Sequence, residues 1–490
     1  MSFYVTTAIP YVNAAPHLGH ALELVQADVL ARHRRLRGQP VRFLTGTDEN
    51  ALKNVAAANA AGAPVATFVA ENADRFAGLA GALELSYDDF IRTSSDARHA
   101  PGVERLWRQT AARGDFYRRG YDGFYCQGCE QFSETAAPCP EHGVAPEKVT
   151  ESNWFFRLSR YAADVLSVLE SGRVRIEPAA KRNEVLSFVR AGLTDISVSR
   201  PASRAAGWGI PVPDDPDQVV YVWWDALANY VTALGYGTDD SAYQTWWREA
   251  AERVHVIGKG IVRFHAVYWL ALLLSTGQPL PTAIFVHEYL TVDGAKISKS
   301  AGNAVNPYDL VERYGADALR WWLLRDVAGL GDTDFTEQRL LARYHQDLAN
   351  GLGNLVHRTV SLVHRYRHGA VPEQTRTSGI GRELPPTIDR ALQVFDFRAA
   401  TDAISRVVAT ANRLVEAERP WELAKREQAG DDAAGERLDA VLATLVEACH
   451  CLARELTPFV PAGAARIAAQ LGGRSAIAGP QPVFPRLTVV

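Results

Sequence analysis

Three features of the 490-residue chain predict an α/β fold in which a doubly wound sheet is followed by an all-helical region. Apolar, β-branched runs alternate with helical patterns early in the chain, and acidic groups sit just past the end of one such run. From about Gln338 onward the hydrophobic spacing is purely helical. At roughly 100 to 200 residues per domain, this length accommodates about three domains. With 47% hydrophobic and 22% charged residues the composition is that of a globular protein, which excludes disordered and collagen-like chains. The formal charge of −4 means that contact with a nucleic acid would rest on a local basic patch and not on a global field. The opening MSFYVTTAIPYVN lacks a basic segment and a long apolar core, and the most apolar stretch, Phe264 to Leu274, is too short to span a bilayer. These features predict a soluble, cytoplasmic protein.

The first apolar run, Phe3 to Ile9, ends at Pro10 and reads as a strand. A turn-rich stretch, Asn13 to Pro16, leads into a helical pattern from Leu18 to Leu36. A second run, Val41 to Thr45, continues into Thr47-Asp48-Glu49, which puts carboxylates where α/β sheets bind ligands. Near Arg118 the texture changes, and Tyr121 to His142 is rich in aromatics, Cys and turn residues, as expected of an insertion. Alternation at Asp217 to Trp224, a helix, and the runs Arg253 to Ile257 and Ala283 to His287 predict that the sheet resumes after it. In the tail, Leu340, Leu341, Tyr344, Leu348, Leu352, Leu355, Val356 and Val360 recur at spacings near three and four. A Pro-, Gly- and Thr-rich linker, Ala370 to Pro386, and a charged loop, Glu427 to Glu436, divide the helices of a bundle.

His17-Leu18-Gly19-His20 opens the first helix. Two imidazoles one turn apart share a face beside unpaired backbone N–H donors and the positive end of the helix dipole, which suits a nucleoside triphosphate. Lys296-Ile297-Ser298-Lys299-Ser300 sets two lysines with hydroxyls between them in a loop, able to neutralise charge on a departing pyrophosphate. Cys126-Gln127-Gly128-Cys129 and, nine residues later, Cys139-Pro140-Glu141-His142 are two pairs at x2 spacing. Four such ligands with no vacancy predict one structural zinc ion in a reducing compartment. Cys449 and Cys451 lie in an apolar helix and read as core. Asn350, Asn354 and Arg358 recur at spacing four on one helix face, where amides and a guanidinium can read base edges. Around them, Arg339 to Gly369 holds five Arg and four His against one acidic residue, Asp347. Pro420-Trp421 marks a later helix boundary, where an exposed Trp would offer a stacking platform.

The histidine and lysine motifs together resemble the two signatures of class I aminoacyl-tRNA synthetases. Through Tyr4 to His20, Arg34 to Glu49, Asp195 to Tyr230, His255 to Trp269 and Asn303 to Asp326 the chain is similar to methionyl-tRNA synthetases. That resemblance implies ATP binding by His17, Gly19, His20, Lys296, Ser298 and Lys299, with Arg200 assisting adenylate formation. It implies an amino-acid pocket of Ile9, Asp48, Trp223, Ala226, Tyr230, Ile261 and His265, in which Asp48 pairs the substrate ammonium. Aromatic and aliphatic walls suit an unbranched thioether, and a neutral His or a Tyr hydroxyl can approach its sulfur. Asn350, Asn354, Arg358, Pro420 and Trp421 match positions that read the methionine anticodon, and the Cys3His set looks like the one-knuckle form of the family's insertion.

The implied architecture is a split Rossmann-type nucleotide-binding domain (1–115 and 216–290) with a zinc-containing insertion (116–215). A lysine-serine loop and connector (291–340) and a C-terminal α-helical bundle (341–490) complete it. The implied partners are methionine tRNA, an amino acid and ATP with Mg2+, without a membrane, in a monomer.

Four departures from the family pattern span five positions. Asn50-Ala51 stands where His-Gly is usual, Gly260 replaces a carboxylate near the adenylate, and Glu288 replaces a glycine after a strand. Ile297 for Met in the second signature is a milder change. The lost and gained carboxylates on neighbouring strand ends would fit compensation across one pocket, or a substrate with a polar or cationic side chain. Three functions therefore stand at this point. The first is a methionine–tRNA ligase. The second is a relative that adenylates another amino acid and passes it to a small amine or hydroxylamine. The third is a tRNA-binding relic with a dead site.

Overall fold

The computed structural model describes residues 2–126, 131–133, 135–139, 143–297, 304–373, 379–473 and 476–488. The chain forms two compact units. The first comprises Met1–Gly81, Leu85–Tyr289 and Ser298–Asn306, and the second Ala82–Glu84, Leu290–Ile297 and Pro307–Val490.

The first unit is built on a six-stranded parallel sheet. Its strands are β1 (Phe3–Thr7), β2 (Val41–Thr47), β3 (Asp89–Arg92), β4 (Arg175–Glu177), β5 (Glu252–Gly258) and β6 (Ala283–His287), in the spatial order β3-β2-β1-β5-β6-β4. The order reverses between β1 and β5, where Phe3 to Thr7 lie in register with Glu252 to Val256. A sheet of this kind opens a crevice at that reversal, outside the carboxyl ends of its strands. The sequence explains the central strands, because FYVTT and AIFVH are buried throughout, as strands covered by helices on both faces must be. Helix α1 spans Leu18–Leu36 and follows β1 through the turn-rich stretch; His17 caps its start, and His33, Arg34 and Arg35 complement the dipole in its last turn. The core of the unit gathers Tyr4, Ile91, Trp107, Trp224, Trp247 and Trp269.

Two elements differ from the sequence expectation. The alternating run at Asp217 does not belong to the parallel sheet. Asp215–Val220 pairs antiparallel with Ser199–Pro201 in a separate three-stranded sheet, and the chain then turns at Tyr221 into helix α2 (Val222–Thr232). Trp223 and Trp224 therefore stand on a helix. Alternation signals a strand with one wet face, and the central parallel strands are continuously apolar. The edge strand β4 was not foreseen, since three residues are too few to register a period. It comes from within 116–215. That region also holds an antiparallel sheet in which Phe116–Cys126 pairs with Glu147–Phe156 over most of its length.

The described residues of the second unit are mainly helical, with a small sheet of Leu290–Val292, Ala295–Lys296 and Thr333–Asp334 and an isolated bridge between Ala370 and Ala476. All eight apolar residues named between Leu340 and Val360 are buried. Glu337–Arg343 passes into a π-helical stretch, Tyr344–Gly353, before Asn354–Arg367 resumes the α form. The expected loop at Glu427 to Glu436 shrinks to three residues, because Pro420–Gln428 and Asp432–Leu456 extend into it and Asp431 caps the latter on Ala434 N. No helix among the described residues is long and apolar enough to cross a membrane.

Candidate functional site

At the crevice, His17 and His20 cap α1 reciprocally. The Gly19 N–H donates to His17 Nδ1 at 3.1 Å, and the His17 N–H donates to His20 Nδ1 at 3.1 Å. The rings stack with centroids 3.8 Å apart. A Cβ on Gly19 would come within 3.0 Å of the His17 ring, so glycine is what lets the imidazole fold over the helix start. Because both Nδ1 atoms accept, both rings carry their proton on Nε2. Burial, with His17 and His287 nearby, pushes the His20 pKa well down, so this imidazole stays neutral.

Two groups that the sequence reading did not single out tie α1 to the strand ends. His287, the last residue of β6, faces Glu23 with Nε2 3.0 Å from Oε2, and its Nδ1 lies 2.9 Å from Glu288 O. Burial raises the Glu23 pKa, and His287 with the backbone amides of Ala8 and Gly258 offsets part of that rise. The signal for Glu23 was its place three residues after His20 on the same helix face.

The predicted amino-acid pocket converges on a neutral pair. His265 Nδ1 lies 3.0 Å from Ile261 O, so its N–H donates there and Nε2 is left to accept from the Tyr230 hydroxyl at 2.7 Å. Burial lowers the His265 pKa to about 4 and raises that of Tyr230, with the Glu23 charge adding to the latter. Trp223 stacks on Phe264 with centroids 3.6 Å apart and meets His265 and Tyr11 edge-on. Among the described residues its indole N–H has no hydrogen-bond partner. Ala226 is buried on α2, and Ile9, Trp223 and Ile261 are half-buried against the same core cluster. Asp48 is 2% exposed, and its backbone is held by a bridge to Tyr11, the Pro10 carbonyl and the Asn54 amide.

The departures have structural partners. Asn50 donates to Asp225 Oδ2 at 2.6 Å and to Thr93 O at 3.3 Å. Asp225 Oδ1 meets His99 Nε2, and His99 Nδ1 lies 2.7 Å from the Thr232 hydroxyl, so Asn50 completes a buried polar chain. Ala51 is buried against Tyr221 and Val222. Glu288, 6% exposed, places Oε1 3.1 Å from Lys181 Nζ and Oε2 3.1 Å from Lys259 Nζ. The lysines hold its pKa below the ordinary carboxylate value against the effect of burial. At Gly260 a Cβ would lie 2.0 Å from the Tyr289 hydroxyl.

Arg200 is 3% exposed, donates to Ser197 Oγ and Ser199 O, and lies over the rings of Tyr125, Phe132 and Tyr221. Lys296 ends the strand Ala295–Lys296, and Ser298 and Lys299 lie outside the described residues. Of the metal-spaced set, Cys126 ends the strand that faces Gln131, and Cys139 O accepts from Gly143 N at 2.7 Å while Cys139 N donates to Val144 O at 2.9 Å. Cys129 and His142 lie outside the described residues. Cys449 is buried as expected, whereas Cys451 is half-buried, with its Sγ 3.4 Å from Gly381 O.

In the second unit Asn350, Asn354 and Arg358 are exposed, and Asn350 falls in the π-helical stretch. Pro420 is buried and Trp421 is 36% exposed at the start of its helix. The basic patch is weaker than its composition suggests, because Arg339 and Arg343 pair with Asp326, and Arg367 pairs with Glu427 and Asp439.

The family described as tRNA synthetases class I (M) matches residues 3–146 and 135–360. A relative named methionine–tRNA ligase from Mycobacterium leprae (strain TN) is 41% identical over 488 residues, 96% of this chain and 89% of that protein. One of the same name from Brucella suis biovar 1 (strain 1330) is 39% identical over 517 residues, covering 99% and 98%. The crystal structure of Mycobacterium tuberculosis methionyl-tRNA synthetase bound by methionyl-adenylate is similar with a TM-score of 0.92 and 37% identity, covering 99% of this chain and all of that one.

Proposed function

The chain belongs to the class I tRNA synthetases of the methionine type, and from that premise we propose that it is a methionine–tRNA ligase. It activates L-methionine with ATP to methionyl-adenylate and transfers the acyl group to methionine tRNA. The observation that carries the choice of amino acid is the neutral Tyr230–His265 pair beside Trp223 and Phe264. A fully buried, uncharged hydroxyl–imidazole pair next to aromatic walls accommodates a thioether and offers nothing to a cationic side chain. Glu288, the one gained acid, is engaged by two lysines.

In this reading Asp48 pairs the methionine ammonium and leaves its carboxylate to attack the α-phosphorus of ATP. The α-phosphorus bond to the bridging oxygen breaks and pyrophosphate departs. His17 and His20, which carry their protons on Nε2, donate to phosphate oxygens at the helix start. Lys296 and Lys299 neutralise the leaving charge, Ser298 binds beside them, and Arg200 assists adenylate formation. Magnesium enters with ATP and offsets phosphate charge. Asn350, Asn354, Arg358 and Trp421 read the anticodon, with Pro420 setting the start of the helix that presents the indole.

The donor set Cys126, Cys129, Cys139 and His142 has the chemistry of a closed zinc site, and its two x2-spaced pairs suit a knuckle. A zinc ion there would contribute folding energy and no catalysis. Aminoacylation of methionine tRNA tests the proposal. Charging with methionine alone is the expected result, and activation of another amino acid without charging would overturn it.

A further inference from the structure

Strands β5 and β6 are parallel neighbours, and their carboxyl ends carry Gly258-Lys259-Gly260 and His287-Glu288-Tyr289. Two anomalies meet there. The first is a buried carboxylate, Glu288, whose two oxygens each take one ammonium, Lys259 from its own sheet crevice and Lys181 from the helix that follows β4. The second is Gly260, whose Cβ position is filled by the Tyr289 hydroxyl, 2.0 Å from where that carbon would be, with Cζ at 3.3 Å. A side chain, and so a carboxylate, at 260 would require the Tyr289 hydroxyl to move. Lys259 Nζ also lies 4.8 Å from the Tyr289 ring centroid, so the same tyrosine that closes 260 bounds the ammonium on one side.

We infer that Glu288 is the positioning residue for Lys259 in the nucleotide half of the site, the carboxylate having moved from residue 260 to the adjacent strand end with Tyr289 occupying the space it left. The inference rests on the ATP-dependent activation proposed above. Lys181 is shared with Glu184 at 3.8 Å, so meeting a polyanionic nucleotide at the crevice falls to the Lys259 ammonium. A lysine ammonium is a point charge on a flexible stem, and the shared carboxylate is what gives it a direction. The ligand affected is therefore ATP, whose phosphates take the ammonium, and not the amino acid, whose side chain meets the neutral Tyr230–His265 pair.

The test uses the full chain and two readouts: ATP affinity by calorimetry, and ATP–pyrophosphate exchange with ATP and methionine varied separately. Glu288→Gln is expected to weaken ATP binding and raise the KM for ATP roughly tenfold while leaving the KM for methionine unchanged, since the charge that aims the Lys259 ammonium is lost. The three-position variant Gly260→Asp, Glu288→Gly, Tyr289→Phe is expected to restore ATP affinity to within about threefold, because removing the hydroxyl makes room at 260. The same pair of changes with Tyr289 retained should not.

ATP affinity that is unchanged or tightened in a Glu288→Gln protein with the wild-type melting temperature overturns the inference. So does a shift confined to the KM for methionine. If Glu288→Gln melts early, the three-position variant decides: wild-type affinity supports the inference, and failure beside a normal melt refutes it. Wild-type protein that binds ATP but shows no methionine-dependent exchange would refute the proposed function and leave the affinity comparison to judge Glu288.

Discussion

The neutral state of His265 has a consequence that acid will expose. Its pKa falls from the ordinary 6.5 to about 4 in the folded chain because burial strips the imidazolium of water. An unfolded chain takes up that proton near the ordinary value. Between the two values the unfolded state binds one proton more than the folded state, so stability must fall as pH falls through that window. At about 1.4 kcal/mol per pH unit for one proton, the penalty is absent above the ordinary value and approaches roughly 3 kcal/mol near the folded one. His20 and His255 are shifted in the same direction and steepen the total. The perturbation that isolates His265 is His265→Gln, whose amide oxygen can still accept from the Tyr230 hydroxyl. Denaturant unfolding of both proteins from about pH 7 to about pH 4.5 should show the wild type losing roughly 1.4 kcal/mol per pH unit more than the variant. Nitrogen NMR of labelled histidine should place the His265 proton on Nδ1, the tautomer opposite to that of His17 and His20. Parallel stability curves, or a His265 titration near its ordinary value, would refute the reasoning.

Tyr230→Phe leaves His265 Nε2 buried without its donor, and should cost about 1–3 kcal/mol in denaturant unfolding. It should also raise the KM for methionine above that for ATP. Trp421→Ala should weaken tRNA charging while leaving methionine-dependent exchange intact, and equal losses in both assays would contradict the division of labour. Chelation, or Cys129→Ser, should release about one zinc per chain and unfold the segment around Cys126 and Cys139. A metal-free protein with an unchanged melt would refute a structural zinc. Asn50→Leu strands the Asp225 carboxylate among buried groups, and a loss of about 1–3 kcal/mol should appear in unfolding. Full stability in that variant would remove Asn50 from the chain through His99.

What could be read in advance followed from local physics. The span of α1 from Leu18 to Leu36, the buried strands FYVTT and AIFVH, and the core face from Leu340 to Val360 each declare themselves by period and capping. The error at Asp217 to Trp224 arose where alternation, which marks a half-exposed antiparallel strand, was read as part of a parallel sheet. The links among Glu23 and His287, His99 and Asp225, and Lys181 and Glu288 join residues far apart in the chain, and no spacing rule reaches them. Asn50, Gly260 and Glu288 looked like defects in a linear pattern. In three dimensions each has a partner that accounts for it: Asp225, Tyr289 and the lysine pair.

The most direct test of the central claim is ATP–pyrophosphate exchange with each of the twenty amino acids, together with ornithine and hydroxylysine as cationic controls. Exchange that depends on methionine and ignores the cationic compounds is the result this account requires, and exchange driven by a cationic amino acid while methionine is silent would contradict it.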